Sequence, residues 1–174
     1  PGDWETGIFP LRETEPFPED APNPESGAVF QLNPSLTEWA YQLTKDIQLE
    51  DTEALQQLRT RYTNYPEAQQ SPKVLKGDHV AAMTFWHGKI LNTWANRWVE
   101  YWTGGEGEFV TSAMEDTGTA QALRFLDNAD KVDASRLLVL RTASNFTMPP
   151  EDMTAAASMK NENSGYSAYI PSLE

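Results

Sequence analysis

The sequence predicts an α/β fold organised on a parallel strand, helix, strand unit, and three observations lead there. Phe109, Val110 and Met114 give β-favouring apolar content to residues 108–114. Ala120, Leu123 and Leu126 then recur at helical spacing behind Asp116 or Thr117, either of which can cap a helix. After a polar break at residues 127–135, Arg136-Leu-Leu-Val-Leu-Arg141 reads as a second buried strand. A helix of about a dozen residues, with no hairpin turn on either side, is the length a parallel crossover requires. Residues 108–114 and 136–141 are therefore expected as adjacent parallel strands joined by a right-handed crossover. Ligands of such sheets sit beyond the carboxyl ends of the strands, which directs attention to Met114-Glu115-Asp116 and to Arg141-Thr-Ala-Ser144-Asn145.

The remaining elements follow in chain order. Residues 1–34 hold seven of the twelve prolines, and residues 1–30 carry seven acidic side chains against one basic. This is a Pro-rich acidic arm, an ordered coil anchored by Trp4, Ile8, Phe9 and Phe17, with a short strand at Val29–Leu32. Residues 35–174 read as the carboxyl-terminal part of a single α/β domain. Asn33-Pro34 starts a helix, since Asn offers a capping oxygen and Pro gives up an N–H that has no partner there. Leu36, Trp39, Ala40, Leu43 and Ile47 form its apolar stripe, opposite Glu38, Gln42 and Lys45. A second helix begins at Asp51-Thr52-Glu53, buries Leu55, Leu58 and Tyr62, and stops before Tyr65-Pro66. The pair reads as a structural αα-hairpin.

Lys73-Val-Leu-Lys76 is short and β-like. The densest aromatic segment, Met83-Thr-Phe-Trp-His-Gly88, precedes a helix in which Ile90, Leu91, Trp94, Trp98, Tyr101 and Trp102 recur at three- and four-residue steps. Gly104, Gly105 and Gly107 end it. Beyond Arg141 the tail is polar, with Met148-Pro-Pro150 extended and short helices at Thr154–Met159 and Tyr166–Leu173. No internal repeat is present.

Composition bounds the function. A chain of 174 residues with 39% hydrophobic content and six Trp can bury a core. The formal charge of −13, from 13 basic and 26 acidic residues with no basic cluster, argues against nucleic acid and anionic membranes as partners. No apolar run approaches the ~20 residues that cross a bilayer. The absence of Cys removes disulfides, thiolate metal sites and a Cys nucleophile without fixing the compartment. Because the first residue is Pro1, the chain is read as processed or truncated, and a secreted or extracytoplasmic location is slightly favoured.

Four groups of residues can carry chemistry, each with a plainer role beside it. Glu115 can accept two hydroxyls of a cis-diol such as a ribose, or can simply favour a helix macrodipole, although Asp116 would serve that purpose alone. Asn145, behind Ser144, can offer a donor and an acceptor to a heterocycle edge, or can be a turn residue; it also opens an Asn145-Phe-Thr147 glycosylation sequon. Phe85, Trp86 and His87 supply rings for stacking and a titratable group, or core packing. Trp94, Trp98 and Trp102 read as core. His79 and His87 with Asp78 are a weak metal signal, so no metal is assigned. Phosphate-loop, dinucleotide-loop and nucleophile-elbow motifs are all missing.

The run Gly77-Asp78, Thr84-Phe-Trp-His-Gly88, Trp94-Ala-Asn-x-Trp98, Tyr101-Trp-Thr-x-Gly-x-Gly107, Ala113-Met-Glu-Asp-Thr-Gly118 and Leu140-Arg-Thr-Ala-Ser-Asn145-x-x-Met-Pro-Pro150 resembles the purine nucleoside permease family of fungi and bacteria. Asp3-Trp-x-x-Gly-x-Phe-Pro10 resembles a segment midway through those proteins. That family in turn resembles the nucleoside phosphorylase and nucleosidase superfamily, which implies a three-layer αβα sandwich. The resemblance aligns Met114-Glu115 with a ribose-holding Met-Glu, Phe85 with an aromatic against the base, and Asn145 with an Asp that protonates purine N7. An amide cannot be that acid, though it can hydrogen-bond N7 and O6 of a 6-oxopurine. The implied amino-terminal half, with the phosphate-binding loops, is not in this sequence.

The first functional expectation is cleavage of the N-glycosidic bond of purine nucleosides, by phosphate as co-substrate or by water. Glu115 and Asn145 would be the catalytic pair, with Phe85, Trp86, His87, Met114, Asp116 and Ser144 completing the substrate site. The alternative is a nucleoside-binding protein serving uptake without turnover. The expected partners are a purine nucleoside or base, the missing half as a separate or cleaved chain, and further copies in a homo-oligomer; no resident cofactor is expected.

Overall fold

The computed structural model describes residues 29–162. Most of the acidic arm and the expected helix at Tyr166–Leu173 lie outside them.

The described chain is mixed α/β. Five α-helices run in the order α1 (Pro34–Thr44), α2 (Glu53–Arg59), α3 (Lys89–Thr103), α4 (Asp116–Asn128) and α5 (Ala155–Glu162), with strands β1 (Asp78–Ala81) before α3 and β2 (Phe109–Ala113) after it. The strands pair in parallel with His79 opposite Thr111, Val80 opposite Ser112 and Ala81 opposite Ala113, after an irregularity between Asp78 and His79. The Asp78 carboxylate fixes the entry to β2 by accepting the Glu108 N–H at 2.9 Å.

A parallel strand, helix, strand unit is therefore present, but it is β1, α3, β2 and lies upstream of the expected one. Residues 136–141 are not a strand. Ala134–Arg136 forms a single 3-10 turn, the chain after it is irregular, and Leu140 is 79% exposed. A short apolar run reads the same in a strand and in an extended coil, and here its terminal Arg141 is drawn to the start of α4. Val29–Leu32 and Lys73–Lys76 are likewise irregular; the strand begins two residues after the latter, at Asp78.

The helix starts follow their caps. Asn33 Oδ1 accepts the N–H groups of Ser35 and Leu36, and Thr52 Oγ1 accepts that of Leu55. Leu55 is buried and Leu58 half-buried, whereas Tyr62 is buried beyond the helix, which ends at Arg59 and not, as expected, just before Tyr65. Arg59 is buried with them, held by a two-pronged ion pair to Asp51 at 2.6 and 2.7 Å. The stripe of α1 behaves differently: Trp39 and Leu43 are more than half exposed, and Ile47, half exposed, lies beyond the helix end at Thr44, so periodicity alone did not secure burial.

The core lies between α3 and the two strands. Val80, Trp86, Ala95 and Val99 are buried, with Ala82, Leu91, Trp94 and Phe109 packed against them. Trp86 stacks on Trp94 at 5.2 Å, and Trp94 on Trp98 at 4.8 Å. At the end of α3, Gly104 takes a left-handed conformation with φ 63°, which favours glycine.

Candidate functional site

The carboxyl ends of β1 and β2 point the same way, so the loops that leave them emerge at one edge. From β1 comes Met83–Gly88. From β2 comes Met114-Glu115, which runs directly into α4.

A third segment crosses this edge. Arg141 donates through Nε to Asp116 Oδ1 at 3.0 Å, and its Nη2 lies 2.6 Å from Asp116 Oδ2 and 3.0 Å from Glu115 Oε2. Five residues on, the Phe146 carbonyl accepts from His87 Nδ1 at 3.2 Å, and Gly88 N–H donates to the Thr147 carbonyl at 2.8 Å. Thr147 Oγ1 also bonds Asn92 Oδ1 at 2.5 Å. Residues 141–147 are thus strapped to the exit of β2 at one end and to the exit of β1 at the other. Behind the strap, the Tyr62 ring lies 4.5 Å from Phe146, and its hydroxyl donates to the Met148 carbonyl at 3.0 Å.

The candidate residues divide by environment. Phe85 and Met114 are 44% and 46% exposed, while Trp86 is buried in the tryptophan stack and His87 is buried beside the strap. The Phe85 and His87 rings lie 5.8 Å apart. The Glu115 side chain is 66% exposed, and its ion pair with Arg141 falls on Oε2. Ser144 and Asn145 are half-buried; Asn145 Oδ1 accepts from Ser144 Oγ, and Nδ2 donates to the Phe146 carbonyl, both at 3.2 Å. Glu115, Phe85 and Asn145 therefore stand on the three segments that share this edge.

Neither Asp116 nor Thr117, the two expected candidates, caps α4. Glu115 occupies the cap position without a side-chain cap bond, and the Asp116 carboxylate instead joins Arg141 to His79. Burial pushes the Asp116 carboxyl up, but hydrogen bonds from Arg141 and the neighbouring His79 outweigh it and hold the group below its usual value. His79 Nε2 lies 2.7 Å from Asp116 Oδ2, and Nδ1 lies 2.8 Å from Thr111 Oγ1. Sequence reasoning weighed His79 only as a metal ligand and Arg141 only as a strand end. Their shared contact depends on strand register for His79 and on the chain path after Arg136 for Arg141, for which the residues give no signal. Among the described residues no three His, Cys, Asp or Glu side chains are grouped to hold a metal ion, and no helix is long and apolar enough to cross a membrane.

A family model described as purine nucleoside permease matches residues 1–174. The chain belongs to the purine nucleoside permease family. It is similar to a "Purine nucleoside permease" of Candida albicans, 29% identical over 166 residues, covering 94% of this chain and 40% of the relative. It is also similar to a "Probable purine nucleoside permease" of Schizosaccharomyces pombe, 26% identical over 145 residues, covering 83% of this chain and 41% of the relative. The chain thus spans about two-fifths of the length of these permeases. No solved structure matches it significantly.

Proposed function

We propose that this permease-family chain supplies part of a purine nucleoside-binding site that serves uptake, with the ligand at the carboxyl edge of β1 and β2. The observation that carries this reading is the strap at residues 141–147, tied to Glu115 on one side and to His87 on the other. In this reading Glu115 accepts the 2′ and 3′ hydroxyls, Phe85 with Met114 packs on the base, and Asn145 meets the purine edge. Trp86, His87, Asp116 and Ser144 support those groups from behind.

The charge at the edge suits a neutral diol. Two carboxylates, Glu115 and Asp116, surround one guanidinium, so the cluster has no surplus positive charge for a phosphate. The relatives are described as permeases. The first point disfavours phosphorolysis, and the second favours recognition for uptake over glycosidic cleavage.

The same reading makes the two-stranded sheet one portion of a three-layer αβα sandwich. Its other strands correspond to the length of the relatives that this chain does not span. The exposed Trp39 and Leu43 of α1, with Ile47 just beyond its end, supply an apolar face against which such a layer packs.

The test is calorimetric titration of the intact protein with inosine, with and without phosphate, followed by chromatography of the ligand. Saturable binding with inosine recovered intact is expected. Release of hypoxanthine would replace this reading with cleavage, and absence of binding would remove both.

A further inference from the structure

We propose that His79 is a positioning residue for Glu115, acting through Asp116 and Arg141 to set the orientation of the diol-binding carboxylate. The inference rests on the nucleoside-binding reading of the same edge.

The geometry is a line of polar contacts that runs from the sheet to its rim. Thr111 of β2 stands opposite His79 in the parallel register and meets His79 Nδ1 at 2.8 Å. His79 Nε2 meets Asp116 Oδ2 at 2.7 Å, Asp116 holds the guanidinium of Arg141 through both oxygens, and Arg141 Nη2 reaches Glu115 Oε2 at 3.0 Å. Exposure rises along the line. The side chains of His79, Asp116, Arg141 and Glu115 are 16%, 17%, 33% and 66% exposed. The two inner members are fixed by packing, whereas the outermost is a long, solvated side chain with rotamer freedom to lose on binding.

An arginine held by two bonds to one carboxylate presents its remaining N–H groups in fixed directions, because the guanidinium is planar, and one of those on Nη2 faces Glu115. That direction selects the Glu115 rotamer before ligand arrives, and preorganisation of this kind improves affinity by removing an ordering cost. Asp116 can hold the guanidinium in one plane only if its own carboxylate is fixed, and His79 is the sheet residue that bonds it. A purely structural clamp between β1 and α4 would use the same contacts, so the test must read Glu115 selectively.

Two variants separate the contacts. His79→Asn keeps a polar atom near the Nδ1 position for Thr111 but is too short for Asp116; His79→Gln places an N–H near the Nε2 position and keeps that reach. Inosine, which engages Glu115 through its ribose, and hypoxanthine, which has no ribose, are titrated into the wild type and both variants. We expect His79→Asn to weaken inosine by about 10-fold, the scale of one hydrogen bond to a charged group. Hypoxanthine affinity should stay unchanged, and His79→Gln should recover most of the loss. An unchanged inosine affinity in His79→Asn, an equal loss for both ligands, or no recovery in His79→Gln would overturn the role of His79. Wild-type protein that binds neither ligand would instead overturn the binding site itself.

Discussion

Arg141 grips Asp116 with two donors, Nε to Oδ1 at 3.0 Å and Nη2 to Oδ2 at 2.6 Å, and so joins the irregular segment after residue 136 to the first turn of α4. The contact has a pH signature. Because the folded carboxyl of Asp116 titrates below its usual value of 3.8, its contribution to stability is present above that value and is lost as pH falls through the lower folded one.

Urea unfolding should therefore show a midpoint that declines on acidification below about pH 4. Asp116→Asn should flatten that decline while costing about 2 kcal/mol at pH 7, the scale of hydrogen bonds to a charged group. An equal acid decline in wild type and Asp116→Asn would count against this assignment.

How far the sequence could be read depended on whether the deciding contact was local. Asn33, Thr52 and Gly104 mark helix ends through bonds within a few residues, and each marks the end expected. The aromatic periodicity of α3 located the core only in part: Leu91 and Trp94 pack against it, but its buried helix residues are Ala95 and Val99, and Ile90 is 69% exposed. The strands were harder: Leu137–Leu140 has the apolar content of a strand without becoming one, while Asp78-His79-Val80-Ala81 is half polar and pairs with β2. Partner choice, not propensity, decided between them. The edge at Glu115 was legible as two adjacent acids, but the His79 and Arg141 contacts to Asp116 arise from register and chain path, which no spacing encodes.

The ion pair at α2 should behave as a buried unit. Arg59 and Asp51 are 10% and 22% exposed, and the hydrogen bond from Arg59 is the largest influence holding the Asp51 carboxyl below its usual value. Asp51→Ala leaves the guanidinium uncompensated and should cost about 3 kcal/mol in urea unfolding. The double variant Asp51→Leu with Arg59→Met should lose markedly less than Asp51→Ala alone. Additive losses from the separate substitutions would contradict this.

Two glycines predict opposite signs. A Cβ on Gly77 would lie 2.0 Å from Val110 Cγ2 and 2.9 Å from the Glu108 carbonyl, so β2 would have to shift. Gly77→Ala should destabilise by about 1–3 kcal/mol. Gly118, in the first turn of α4, has nothing within 4 Å of the same position, and Gly118→Ala should stabilise by about 0.5–1 kcal/mol through helix propensity. Thermal midpoints of the two variants would check both.

Asn145 should set base preference. Its Nδ2 already donates once, to the Phe146 carbonyl, and its second N–H suits the O6 acceptor of a 6-oxopurine better than the amino group of adenosine. Inosine and guanosine should bind more tightly than adenosine, by about 10-fold. Asn145→Asp should move the preference toward adenosine. Equal affinity for the three nucleosides in the wild type would remove Asn145 from the base site.

The most direct measurement compares inosine with 2′,3′-dideoxyinosine, in the wild type and in Glu115→Gln, by calorimetric titration. If the carboxyl edge of β1 and β2 holds a nucleoside by its diol, wild-type protein should prefer inosine by about 10-fold or more, and Glu115→Gln should lose most of that preference with little change toward the dideoxy ligand. Equal binding of the two ligands by the wild type, or an undiminished preference in Glu115→Gln, would contradict the placement of the ribose at Glu115.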